Sequence, residues 1–188
     1  MRWLKPSAFL LCSLPLLWLV WSGLRGGLGA NPIEAAMHEL GHWTLRLLLL
    51  GLALNVLSRH SGWRRPMQLR RMLGLFAFAY ALLHLLVYIT LDQFFDLPAI
   101  LEDLRFRPYI LIGLSAWLIL LAMAITSTRH WQRRLGRRWV QLHRLVYVAV
   151  PLAITHHFMV AKTISPEAMV YTGLFIPLLI LRLLPRRA

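Results

Sequence analysis

Cysteine is nearly absent: Cys12 stands alone among 188 residues. One thiol excludes an intramolecular disulfide, a CxxCH heme attachment and a cysteine-ligated iron–sulfur cluster. Any heme bound here is held without a covalent link. Cys12 itself reads as a small apolar residue of the first helix. Charge is scarce too, at 15% of residues, where soluble domains carry about 25%. Acids are scarcest, seven against 21 Lys and Arg. No strand is apparent, so no glycine-rich nucleotide fingerprint can follow one. No internal repeat stands out, and no stretch remains for a soluble domain.

Apolar residues fill 59% of the chain. They fall into runs of roughly 17–25 residues, the length needed to cross about 30 Å of hydrocarbon. Lipid offers backbone groups no partners, so such runs are helices. The fold expected is an all-α integral membrane protein, a single domain over 1–188. Its six transmembrane helices lie at approximately 7–24, 33–57, 71–91, 108–128, 139–161 and 167–184.

The net charge of +14 invites a nucleic-acid partner, but the hydropathy argues for membrane lipid instead. Charge position explains the excess. Arg2 and Lys5 precede the first run. Arg59, Arg64, Arg65, Arg70 and Arg71 crowd the second connection, and Arg129, Arg133, Arg134, Arg137 and Arg138 the fourth. Arg182, Arg186 and Arg187 end the chain. Alternate connections share a side, and Lys/Arg bias marks that side as cytoplasmic. Both termini are therefore expected in the cytoplasm. The acids Glu34, Glu39, Asp92, Asp96, Glu102, Asp103 and Glu167 fall in or beside the other connections.

The first run has the basic start of a signal peptide. Its length and the lack of a clean A-x-A site favour a retained span. Asn31-Pro32 marks the start of the next helix. That helix is the least lipid-like, because His38, His42 and Arg46 recur every four residues and share a face. Such residues inside a span face protein, water or a cofactor. Residues 58–70 and 129–138 read as basic loops and 92–107 as an acidic outer loop. Trp131, Trp139, Tyr109 and Tyr171 fall where interfacial aromatic belts lie.

Of eight histidines, His60 and His130 lie in basic loops and read as solvated. His38, His42, His84, His143, His156 and His157 lie within predicted helices. Depth sorts them. At about 1.5 Å per residue, His84 lies roughly 20 Å into the third span, toward the outer side. His143 is shallow on the inner side of the fifth span, and His156 lies roughly 20 Å further out. His84 and His156 thus share the outer level, where two imidazoles can hold heme iron from both faces. His143 marks a second level near the cytoplasm, and two stacked levels suggest an electron path. On a straight helix, thirteen residues leave His143 and His156 about 140° apart, while fourteen leave His157 only about 40° away. Pro151 between them can kink the helix or shift its register, so the residues leave His156 and His157 open. Thirteen or fourteen before His84 stand Arg71 and Arg70. Arginine stays protonated and is a poor iron ligand; it suits heme propionates instead.

The run Arg70-Arg71-Met72-Leu73-Gly74-Leu75 leading to Tyr80-Ala81-Leu82-Leu83-His84 is one motif. Trp139-Val140-Gln141-Leu142-His143-Arg144-Leu145-Val146-Tyr147, ending at His156, is another. Gly27-Leu28-Gly29-Ala30-Asn31-Pro32 and Ile164-Ser165-Pro166 complete the set. Together they resemble the MsrQ (YedZ) family, heme-binding membrane subunits of the periplasmic methionine-sulfoxide reductase system, within the ferric-reductase-like transmembrane group. The resemblance covers nearly the whole chain. It implies paired histidines on the third and fifth helices, matched here by His84, His143 and His156. The fourth position is arginine, Arg70 or Arg71, so one or two b-type hemes remain open. The group's thirteen-residue spacing favours His156 over His157. FMN is also assigned to the family, although no motif here displays an FMN site.

The role implied is electron transfer in the bacterial inner membrane. Electrons would come from the quinone pool or a cytosolic flavin reductase and pass to an MsrP-like periplasmic molybdopterin reductase. That enzyme reverses methionine oxidation in envelope proteins, a lesion whose repair needs electrons. The chain is thus expected to be a subunit of an oxidoreductase system rather than a complete enzyme. One alternative is a cofactor-free proton or solute transporter using the His38, His42 and Arg46 face. Another is a stand-alone ferric reductase, against which the missing flavin–nucleotide domain argues.

Overall fold

Several helices begin where a polar side chain takes up an orphan backbone N–H. In the computed structural model, which describes residues 3–62, 65–161 and 165–184, Asn31 accepts from the Glu34 N–H and Pro32 opens helix α2, Pro32–Ser61. Ser165 accepts from Ala168 and Pro166 opens α9, Pro166–Leu183. Proline suits a first turn because its missing N–H is one of the orphans anyway. The remaining helices are α1 (Leu4–Leu24), α3 (Arg70–Val87), α4 (Leu97–Phe106), α5 (Pro108–Ile125), α6 (Arg129–Leu135), α7 (Arg137–Arg144) and α8 (Val146–Val160). Arg2, Arg64, Ile164, Arg186 and Arg187 lie outside the described residues.

Among the described residues, five helical segments are long and apolar enough to cross a membrane: Leu4–Leu24, Pro32–Ser61, Met67–Asp92, Pro108–Ile125 and Pro166–Leu183. The chain is an all-helical, multi-pass membrane protein. The fifth expected span differs. Instead of one helix over 139–161 there are two, α7 and α8, meeting at Leu145. Leu145 keeps right-handed helical angles, but its N–H bonds to Leu142 O, three residues back. Such a tightened turn adds rotation relative to a straight α-helix.

Two connections are more ordered than loops. The acidic segment 92–107 contains α4, capped by Asp96, which accepts from Ala99 N–H. Asp103 is buried there, accepts from Tyr88 Oη at 2.9 Å and pairs with Arg107 at 3.0 Å. This satisfies an acid that would otherwise be costly to bury. The basic segment 129–138 contains α6, capped by Thr128. A π-turn over Tyr88–Asp92 ends the α3 segment and leads into Phe94 and Phe95, both at positive φ.

α2 is the centre. Leu40, Thr44, Leu45, Leu47, Leu48, Leu49, Leu52 and Val56 are buried along it, and it packs against α3, α8 and α9. α5 packs chiefly on α8. α1 is peripheral and buries only Cys12 and Leu19. Leu10, Leu11, Leu17, Trp18 and Trp21 face outward from it, the arrangement expected where the surrounding solvent is lipid. Tyr80 of α3 ties α1 down. Its hydroxyl donates to Cys12 O at 2.8 Å and accepts from Leu16 N–H at 3.1 Å. In an unbroken helix Leu16 N–H and Cys12 O would bond each other, so the hydroxyl is inserted into the α1 ladder next to Pro15.

One end of the bundle collects basic residues. Arg59 donates to Leu184 O and the His60 ring contacts Leu181 O at 2.9 Å. His60 is therefore not simply solvated. These side chains serve the orphan carbonyls and the negative dipole end of α9. The acids of 92–107 and Glu167 lie at the opposite ends of their helices.

Candidate functional site

The two histidines expected at the outer level meet. His84 on α3 and His156 on α8 bring their ring centres to 6.1 Å, with planes at 90°. His84 Nδ1 lies 2.8 Å from Met37 O on α2, and His156 Nδ1 lies 2.7 Å from Tyr109 O on α5. A carbonyl can only accept, so each Nδ1 carries the proton. Each Nε2 then holds a free lone pair, the tautomer a metal ligand needs. A ring N–H tied to a backbone carbonyl is the usual support behind a metal-bound histidine.

This donor set fits heme iron. A metal–imidazole bond is about 2 Å, so two rings on opposite sides of one metal stand roughly 6 Å apart, centre to centre. The separation observed is 6.1 Å. His84, His156 and the two carbonyls come from four different helices, so the tertiary packing assembles the pair.

His157 points elsewhere. Its ring meets His42 at 4.9 Å and Tyr171 at 6.0 Å, and its Nε2 lies 3.3 Å from Ser165 Oγ. The residues of the face expected from His38, His42 and Arg46 take up several partners. His42 turns to His157 and Tyr171. Arg46 stacks over Trp43 at 4.8 Å and reaches Glu39 at 4.0 Å. His38 is exposed. His42 and Arg46 both reach Tyr171 of α9, so the fourfold spacing keeps these two on one side of α2.

The inner level has a different character. His143 on α7 stacks on Trp139 at 4.1 Å, and its Nε2 lies 3.2 Å from Thr126 Oγ1. Trp139 Nε1 donates to Thr126 O at 2.9 Å. Arg70 lies near enough to His143 to act on it electrostatically, while Arg71 is exposed. Among the described residues no second imidazole faces His143.

Trp139, Tyr109 and Tyr171 do more than line an interface. Trp139 positions His143, the Tyr109 carbonyl holds His156, and Tyr171 is buried against His42 and His157. The sequence reading missed Met37, Gly41, Tyr109 and Gly113. A Cβ at Gly41 would meet the His84 ring, and one at Gly113 the His156 ring. The available signal was a glycine four residues after an accepting carbonyl on each facing helix, legible only once the helices are paired.

A family model described as ferric reductase like transmembrane component matches residues 40–154. That stretch includes His84, Gly113 and His143 and stops two residues short of His156. The protein-methionine-sulfoxide reductase heme-binding subunit MsrQ of Caulobacter vibrioides is 44% identical over 175 residues, covering 93% of this chain and 83% of that protein. The MsrQ of Rhodospirillum rubrum is 47% identical over 182 residues, covering 96% and 88%.

Proposed function

Because the chain belongs to the MsrQ family, within the ferric-reductase-like transmembrane proteins, we propose that it is a heme-binding electron-transfer subunit for methionine-sulfoxide reduction. The heme would be b-type, one per chain, and His84 and His156 would hold its iron. The chain sits in the bacterial inner membrane with both termini in the cytoplasm, and α7 and α8 together form its fifth span. Quinol or a cytosolic flavin reductase supplies electrons, and an MsrP-like periplasmic molybdopterin reductase accepts them.

The observation that carries this reading is the crossed His84–His156 pair with both Nδ1 atoms tied to carbonyls. Heme would supply a one-electron ferric/ferrous couple. Everything else is done by the chain. Met37 O and Tyr109 O hold the rings in the ligating tautomer and strengthen Nε2 as a donor. Hydrogen bonding behind the ligands is one of the levers that set a heme potential. α7 plus α8 run over 137–160, which at about 1.5 Å per residue is long enough to cross the hydrocarbon. The basic ends at 59–71, 129–138 and 182 favour the cytoplasmic side.

The test is a reduced-minus-oxidised visible spectrum of detergent-purified protein with pyridine hemochrome quantitation. One b-type heme per chain is expected. Two would assign a second to His143, and none after heme supplementation would sink the electron-transfer reading.

A further inference from the structure

The outer histidines rest on their neighbouring helices in the same manner. Met37 and Gly41 are one turn apart on α2, and Tyr109 and Gly113 are one turn apart on α5. In each pair the first residue's carbonyl accepts the Nδ1 proton and the glycine lies under the ring. The two seats differ in tightness. A Cβ at Gly41 would stand 3.5 Å from His84 Nδ1, an ordinary contact. A Cβ at Gly113 would stand 2.7 Å from His156 Nδ1, 2.9 Å from Cε1 and 3.2 Å from Cγ. Those atoms belong to a ring already bound to Tyr109 O at 2.7 Å, so the ring has to leave its place.

We propose that Gly113 is a positioning residue for the outer heme: its bare Cα lets His156 lie flat against α5, bonded to Tyr109 O and crossed to His84. This rests on His84 and His156 being the axial ligands. Gly113 acts only through His156. Glycine inside a helix costs about 1 kcal/mol relative to alanine, so a glycine without a seat to provide would be improved by alanine. Gly51, Gly74 and Gly173 meet nothing within 4 Å and lie in helices; they have the space that Gly113 lacks.

The experiment compares wild type, Gly173→Ala and Gly113→Ala as full-length protein in detergent, supplied with heme. Wild type and Gly173→Ala, whose glycine meets nothing within 4 Å, should give the low-spin ferric EPR signal of crossed imidazoles. Gly113→Ala should change that signal and lower retained heme at least about tenfold, at the lower end of the 10–100-fold losses typical of altered ligand support. A wild-type signal and full retention in Gly113→Ala would overturn the seat. A thermal-unfolding cycle of heme-free Gly113→Ala, His156→Ala and the double variant judges the seat without heme. Alanine at 113 should destabilise only while His156 is present; additive effects overturn the proposal. If Gly113→Ala does not accumulate, recovery of the double variant to the His156→Ala level supports the seat and continued failure overturns it. A wild type with no bis-imidazole heme overturns the axial-ligand reading, and the cycle still decides whether Gly113 seats His156.

Discussion

His156 and His157 are neighbours in sequence, yet their rings serve different parts of the molecule. Adjacent residues on an α-helix point about 100° apart. His156 therefore looks toward His84 while His157 looks toward His42, Tyr171 and Ser165. Replacing His84 or His156 by alanine should cut bound heme at least about tenfold, since even altered support behind a ligand costs that much. His157→Ala should keep it. Pyridine hemochrome per chain checks this, and heme loss confined to His157→Ala would reverse the assignment. Depth alone was legible in the residues; azimuth was not. Counting 1.5 Å per residue put His84 and His156 on one level, but ideal rotation from His143 pointed to His157. That rotation holds for a straight helix and matters only if the outer ligand shares a face with His143. Instead, α7 and α8 meet at the tight turn of Leu145, and His143 is held by Thr126 and Trp139.

At the scale of elements, two hydroxyl contacts hold peripheral helices. Tyr80 is the tie between α3 and α1. Tyr80→Phe removes both of its hydrogen bonds and should cost about 1 kcal/mol, read as a fall in thermal midpoint of the purified protein. An unchanged midpoint would mean that Leu16 N–H and Cys12 O simply reclose on each other. Asp103 performs the matching task for α4. Asp103→Ala leaves Tyr88 Oη without its acceptor and should destabilise by about 1–3 kcal/mol. Limited proteolysis in 92–107 should rise with it if α4 detaches. α4 was unreadable as a helix because its pattern is inverted. Asp103 faces inward, while Leu97, Leu101 and Phe106 face out. A reader expecting polar residues outside sees an acidic loop. Its Asp96 cap with Pro98 behind it was the signal available.

Across the whole molecule, charge and hydropathy agree. Basic residues gather at one end, where Arg59 and His60 close the last turn of α9 and Arg70 lies near His143. The acids of α4 and Glu167 belong to the other end. Enzyme or fluorescent-protein fusions after residues 62, 136 and 184 should report the cytoplasm, and fusions near 27, 96 and 163 the periplasm. Substituting acids for Arg129, Arg133, Arg134, Arg137 and Arg138 should weaken that bias, because Lys and Arg rather than net charge orient the chain. An unchanged fusion pattern would show that the remaining basic ends suffice.

Run length, helix starts and the depth of each histidine are properties along one axis. They follow from local rules: hydrocarbon thickness, proline at N1, a capping side chain and a fixed rise per residue. The sequence by itself therefore determined a helical membrane protein with two histidines at one depth. Which faces meet is set by packing between residues far apart in the chain. Only the tertiary structure decided that His156 rather than His157 faces His84. The pairing of α2 with α3, and of α5 with α8, likewise put Met37 and Tyr109 carbonyls behind the rings and Gly41 and Gly113 beneath them. The physical reason is that a helix carries its rise in its backbone but takes its rotation about its own axis from its neighbours.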